Sequence, residues 1–173
     1  MDAPGKPILA KPPRPVMAAS AVVFVIAAAT ILAALAFEHI GGYAPCPLCL
    51  EERYAYYFAV PASAAAFLLA RGHATGPARI LLLLIALAFL ANAVVGVYHA
   101  GVEWKWWPGP AACTGGFDLK WGEGGLAQQL ENAQVIRCDE ASWRFLMLSF
   151  AGWNAVVSAF LAAIAAYGAS RRH

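Results

Sequence analysis

The chain has 173 residues, of which 13% are charged and 61% hydrophobic, and its formal net charge is only +2. A soluble domain usually carries about 25% charged residues, and over half of its accessible area must face water. This composition nearly excludes a soluble enzyme. It also argues against a disordered chain and, without a basic run, against a nucleic-acid-binding domain. The length suits one domain, and the expected solvent is a lipid bilayer.

Four uncharged stretches follow one another along the chain, at residues 17–37, 54–70, 80–98 and 145–167. The first has 21 residues, and as a helix it would span roughly 31 Å, enough for a bilayer core of roughly 30 Å. It exceeds the 7 to 15 residues expected of the core of a cleaved signal peptide, which is the alternative. Because backbone groups cannot stay unpaired in lipid, all four stretches are predicted to be helices. We expect a kink at Pro61 in the second one.

These stretches predict an all-α membrane protein, a four-transmembrane-helix bundle with two exterior loops. The bundle forms one domain, 17–168, between a disordered Pro-rich tail, 1–16, and a short tail, 169–173. Seven of the twelve Lys and Arg residues lie in the two tails and in the loop between the second and third stretches. Short basic connections stay in the cytoplasm, so both termini are expected to be cytoplasmic.

The two exterior loops differ in length. The shorter covers residues 38–53 and the longer covers 99–144. In the longer loop, a tryptophan- and proline-rich segment at 104–110 is typical of an interfacial anchor. Residues 126–136 (LAQQLENAQVI) are predicted to form a short helix that lies parallel to the membrane.

All four cysteines fall in the exterior loops: Cys46, Cys49, Cys113 and Cys138. An even number of cysteines on an oxidising face indicates disulfides, which are either structural or redox-active. A disulfide across the two residues of C-x-x-C closes a very short loop, and short strained disulfides are easily reduced. A four-cysteine zinc site is disfavoured, because 24 residues separate Cys113 from Cys138 and a second tight pair is missing. No metal ligands are therefore predicted.

The C-x-x-C pair stands directly before the second predicted helix. Cys49 can sit on its first turn, where free N–H groups stabilise a thiolate. Arg53 follows one helical turn later on the same face and would favour the thiolate further. Glu51 and Glu52 act against it.

Three segments together resemble the DsbB family. They are CPLCLEER at 46–53, GVYHAGVEWKWWPGPAACTGG at 96–116 and CDEASWRFLMLSFAGWN at 138–154. The resemblance runs from the first predicted span to the last. It implies a thiol:quinone oxidoreductase of the bacterial inner membrane that reoxidises a periplasmic DsbA-like thioredoxin-fold oxidase. The exterior loops would then be periplasmic.

The same resemblance implies roles for individual residues. Cys46 and Cys49 match the pair next to the quinone, whereas Cys113 and Cys138 match the pair that faces the soluble oxidase. Arg53 and His99 match residues that contact the quinone. The implied cofactor is a quinone from the membrane pool, with ubiquinone favoured over menaquinone.

Two other classes of protein remain open. One is a small membrane scaffold whose exterior disulfides are structural, and its cysteines would be inert toward an added thiol oxidase. The other is a metal-handling protein, with which zinc or copper should copurify in stoichiometric amounts.

Overall fold

The computed structural model describes residues 14–110, 137–141 and 143–171. These ranges contain four long helices and one small hairpin: α1 (Arg14–His39), α2 (Pro47–Arg71), α3 (Thr75–Glu103), β1 (Arg144–Phe145), β2 (Leu148–Ser149) and α4 (Phe150–Ser170). The predicted helical fold is confirmed, and the hairpin is an addition to it. α1 begins at Arg14 and therefore includes the last three residues of the predicted N-terminal tail. Residues 1–13 and the surface helix predicted at 126–136 lie outside the described residues.

Three of the four helices, α1, α3 and α4, are long and apolar enough to cross a membrane. α2 has 25 residues and continues through Pro61, and the kink expected there stays a prediction. Its uncharged part is less apolar than the other three, because it contains Tyr54, Tyr56 and Tyr57. Large apolar side chains cover the outside of the helices, as at Leu32 and Val94, which are each 64% exposed. An apolar exterior of this kind suits a lipid environment.

The helices pack in cyclic order around the bundle. α1 lies against α2 and α4, and α3 lies against the same two helices, so that α1 and α3 sit on a diagonal. The buried core consists largely of alanines, and its largest fully buried side chains are Leu82, Ile85, Phe89 and Leu161. Small residues allow close helix contact where lipid supplies no hydrophobic driving force.

A polar cluster links three helices inside the bundle. Asn92 of α3 donates hydrogen bonds to Ser158 (2.9 Å) and Asn154 (3.2 Å) of α4. Tyr56 of α2 donates to the same Asn154 side chain at 2.8 Å. Asn92, Asn154 and Ser158, which are polar residues inside apolar stretches, therefore serve as interhelical hydrogen-bonding residues.

The fourth helix begins at Phe150, five residues after the start of its apolar stretch. Residues 144–149 instead form an antiparallel hairpin, with Arg144 opposite Ser149. Its two central residues, Leu146 and Met147, have φ values of 50° and 68°, as a type I′ turn requires. Ser149 then caps α4, because its Oγ accepts the N–H of Gly152 at 3.2 Å. This N-cap fixes the start of the helix.

The α3–α4 interface predicts a large difference between two glycine substitutions. A Cβ at Gly96 would lie 3.0–3.1 Å from the backbone and Cβ of Ala155, whereas a Cβ at Gly76 would have no neighbour within 4 Å. We expect Gly96→Val to lower the free energy of unfolding by about 1–3 kcal/mol. The matched Gly76→Val variant should lose far less. Thermal unfolding in detergent measures both, and equal losses would contradict the tight interface.

Candidate functional site

The site is built around the start of α2. Cys46 is the N-cap residue, with extended backbone angles (φ −75°, ψ 164°), and Pro47 occupies the first helical position. Proline is favoured there because its missing N–H would have no helical partner. The Sγ of Cys46 accepts the backbone N–H of Cys49 at 3.1 Å. We expected the Cys49 sulfur to benefit from the free N–H groups of the helix. In the structure, one of these groups, the backbone N–H of Cys49, donates instead to the sulfur of Cys46.

The Cys46 thiol is buried, with only 4% of the residue exposed. The hydrogen bond from the Cys49 thiol lowers the pKa of Cys46, although burial acts in the opposite direction. The backbone N–H of Cys49 lowers this pKa further, and the nearby carboxylate of Glu52 raises it. Cys46 and Cys49 are both free thiols. Of the two, Cys46 is the better placed to become a thiolate when the pair is reduced.

Three side chains from α2 and α3 surround the Cys46 thiol. His99 is 2% exposed, and its Nε2 lies 3.6 Å from Cys46 Sγ. Its other ring nitrogen, Nδ1, lies 3.0 Å from Oε1 of Glu52. A second carboxylate, that of Glu103, approaches Nε2 to 3.9 Å. The histidine therefore links a buried carboxylate to the sulfur.

A cavity of about 330 Å³ opens between α1, α2 and α4. This volume lies at the lower end of the range for ligand pockets, roughly 300–1,000 Å³. Cys49 and Arg53 line it, together with aromatic side chains that include Phe37 and Trp153. The expected placement of Cys49 and Arg53 on one face of the helix is confirmed. The cavity is mostly apolar, and its wall also contains the Cys49 thiol, the Arg53 cation and the carboxylates of Glu38 and Glu52.

Arg53 does not face the cavity as an isolated charge. Its guanidinium forms an ion pair with the carboxylate of Glu38 on α1, and both residues line the cavity. The Arg53 side chain is only 12% exposed. The pair orients the guanidinium and reduces the net positive charge that a ligand would meet.

Of the remaining two cysteines, the described part of the chain includes Cys138 and not Cys113. Cys138 is disulfide-bonded and 1% exposed. It forms a small buried cluster with Cys46 and Leu48, against which Cys49 also packs. Cys113 lies outside the described residues. The structure thus places one cysteine of the longer loop directly beside the C-x-x-C pair.

His99 contacts Cys46 and is not among the residues that line the cavity. Its contact with a quinone stays a prediction. Sequence reasoning missed Glu38 as the partner of Arg53, and Glu52 and Glu103 as neighbours of His99. Glu103 could have been inferred from its spacing, because it follows His99 by four residues on one helix. Glu38 and Glu52 contact residues on other helices and carry no such signal.

Two comparisons with known proteins agree with this architecture. The family model of the disulfide bond formation protein DsbB matches residues 17–168. The chain is 32% identical over 157 residues to disulfide bond formation protein B of Marinobacter nauticus, covering 87% of this chain and 90% of that protein. No solved structure gives a significant match. The chain therefore belongs to the DsbB family of disulfide bond formation proteins.

Proposed function

We propose that the protein is a thiol:quinone oxidoreductase that reoxidises a DsbA-like thiol oxidase and passes two electrons to a membrane quinone. One observation carries this proposal. Cys46 belongs to the buried cluster that contains Cys138, whereas Cys49 packs against that cluster and also lines the cavity that contains Arg53. Such a pair can receive electrons on one side and release them on the other.

The first half of the reaction is thiol–disulfide exchange. We pair Cys138 with Cys113, so that a thiolate of the reduced oxidase attacks Cys113 and releases the Cys138 thiolate. We call Cys46 and Cys49 the inner pair. Cys138 then attacks Cys46 in the disulfide of the inner pair and releases Cys49 as a thiolate. The second thiol of the oxidase displaces Cys113, which re-forms its disulfide with Cys138 and frees Cys46. The oxidase leaves oxidised, and the inner pair holds two electrons.

The cavity has the chemistry expected of a quinone site. Aromatic and aliphatic side chains suit a flat apolar ring, and the guanidinium of Arg53 suits a carbonyl oxygen. A bound quinone supplies a two-electron, two-proton acceptor. Cys49 lines the cavity, and Arg53 would stabilise negative charge on the Cys49 sulfur and on a quinone oxygen. Cys46 and Cys49 then rejoin as a disulfide. Ubiquinone is the quinone that we expect.

Reduction of a quinone by the purified, reduced protein under anaerobic conditions tests the proposal. We expect one quinol per reduced inner pair in a single turnover, and continuous turnover once reduced DsbA-like oxidase is added. A Cys49→Ser variant keeps the fold and one sulfur, and it should produce no quinol. If the protein were a structural scaffold, neither the parent nor the Cys49→Ser variant would produce quinol. That result would reject the proposed function.

The proposed orientation places the protein in the bacterial inner membrane. All four helices, including α2, cross the membrane, and both termini lie in the cytoplasm. The charges of α2 at its cysteine end, Glu51, Glu52 and Arg53, then lie at the periplasmic surface. We expect a reporter fused after His173 to be active in the cytoplasm. Reduced cysteines should react with a membrane-impermeant thiol reagent added from outside. A periplasmic C-terminus would mean that α2 does not span the membrane.

A further inference from the structure

The reduced inner pair and His99 have the geometry of a metal site. The two sulfurs and a ring nitrogen of His99 all lie within 4.8 Å of one another. In a tetrahedral zinc site with Zn–S of about 2.3 Å and Zn–N of about 2.0–2.1 Å, a sulfur and a nitrogen ligand are roughly 3.5 Å apart. The distance from Cys46 Sγ to His99 Nε2 is 3.6 Å. Two thiolates and an imidazole are also the ligand types that Zn²⁺ prefers.

The groups around these ligands are those that support a metal. Histidine ligands usually donate their second ring N–H to a carboxylate, which fixes the tautomer and makes the ligand more basic. Glu52 lies 3.0 Å from Nδ1 of His99 and occupies this position. With the proton on Nδ1, the lone pair of Nε2 points toward the sulfur. The hydrogen bond that the backbone N–H of Cys49 donates to Cys46 Sγ also helps to fix the position of that sulfur.

A buried carboxylate without a full set of partners completes the cluster. Glu103 is 8% exposed, and its Oε2 has no hydrogen-bond partner. Its Oε1 lies 3.9 Å from His99 Nε2, on the same side of the ring as Cys46. A buried, unsatisfied carboxylate oxygen is costly. Glu103 lies outside the group formed by the two sulfurs and His99. A shift of its side chain toward a cation held by that group would satisfy the oxygen and bring a further ligand to the cation.

We propose that, when Cys46 and Cys49 are reduced, they form a Zn²⁺ site with His99 and Glu103 that holds the protein in its dithiol state. Binding forms two Zn–S bonds and releases one proton from each thiol to solvent, and no group changes its oxidation state. The disulfide form lacks both thiolates and cannot bind the metal in this way. The site itself rests on geometry alone. Inhibition of electron transfer by bound Zn²⁺ rests on the proposed function.

Zinc binding by the full-length protein in detergent tests the site. The protein is reduced, freed of reductant under argon and titrated with Zn²⁺ against a chromogenic chelator, with Co²⁺ as a spectroscopic probe of thiolate ligands. We expect one Zn²⁺ per reduced chain and none at this site in the oxidised chain. Loss of the carboxylate behind a ligating histidine typically costs 10–100-fold in affinity, so Glu52→Gln should weaken binding by about that factor. His99→Ala and Glu103→Gln should each weaken binding at least tenfold.

Two control variants keep the result interpretable. His73→Ala changes a histidine between α2 and α3, outside the cluster, and should bind Zn²⁺ as the parent does. A Cys113→Ser/Cys138→Ser double variant should also retain the site, because its ligands belong to the inner pair. Equal affinity in the oxidised chain, or in His99→Ala, would overturn the proposal. Because Glu103→Gln is nearly isosteric, unchanged affinity there would reject Glu103 as a ligand even if His99→Ala misfolded.

A second measurement separates this inference from the proposed function. Reduced protein is mixed with quinone with and without one equivalent of Zn²⁺, and a chelator is then added. We expect Zn²⁺ to stop quinol formation and the chelator to restore it. Absence of quinol without Zn²⁺ would reject the proposed function and leave the binding stoichiometry as the test of the site. Full quinol formation with Zn²⁺ bound would reject the inhibitory role.

Discussion

Replacing Cys138 with serine should abolish reoxidation of the DsbA-like partner and trap it on Cys113. When the variant is mixed with the disulfide form of the partner, the Cys113 thiolate attacks that disulfide and forms a mixed disulfide. The thiol that would resolve this bond is missing, so we expect the mixed disulfide to accumulate. Non-reducing gel electrophoresis and peptide mass spectrometry would detect it and locate it.

The matched variant is Cys113→Ser, for which we expect no mixed disulfide. Cys138 is only 1% exposed and packs in a cluster with Cys46, so a partner outside the bundle has no direct access to its sulfur. Both variants should lose steady-state partner reoxidation. If both trapped the partner to the same extent, the roles assigned to Cys113 and Cys138 would be wrong.

The helices of the bundle could be predicted from composition, but their inward faces could not. In a soluble protein, an apolar stripe identifies the buried face of a helix. Here Leu87 is 62% exposed while Leu82 is fully buried on the same helix, since lipid and core both favour leucine. The polar residues inside the apolar stretches carried more information. Asn92 and Ser158 are such residues, and both are buried inside the bundle.

Helix ends were harder to predict than helix existence. The apolar stretch at 145–167 predicted a helix from its first residue, and hydropathy cannot separate Leu146 and Met147 from the residues of α4. The difference lies in the backbone, because both have positive φ values in a turn. Ser149 was the available signal, as a serine favoured at an N-cap.

The C-x-x-C pair and Arg53 could be placed from local spacing, since all three lie within two turns of one helix start. The groups that tune them could not. Glu52 is 47 positions from His99, and Glu38 is 15 positions from Arg53 on a different helix. We treated Glu51 and Glu52 alike as charges that oppose a thiolate. The structure separates them, because Glu51 is exposed whereas Glu52 is buried against His99.

Replacing Arg53 with glutamine should slow quinone reduction by roughly tenfold to a hundredfold. Removal of one donor that stabilises developing charge costs about 10²–10³ in rate in water-excluded sites, and a site at the membrane surface is wetter. Exchange with the soluble partner takes place at Cys113, so a single turnover of that half-reaction should be nearly unchanged. The two half-reactions are measured separately. Equal damage to both, or unchanged quinone reduction, would leave Arg53 as a structural residue.

The ion pair with Glu38 makes a second variant necessary. In Arg53→Gln, the Glu38 carboxylate loses its partner and remains in the cavity wall, where it would itself oppose a Cys49 thiolate. A Glu38→Gln/Arg53→Gln double variant removes this orphaned charge. If the cation acts directly on the thiolate and the quinone oxygen, the double variant stays at least tenfold slower than the parent. Recovery of the parental rate would show instead that Arg53 serves only to neutralise Glu38.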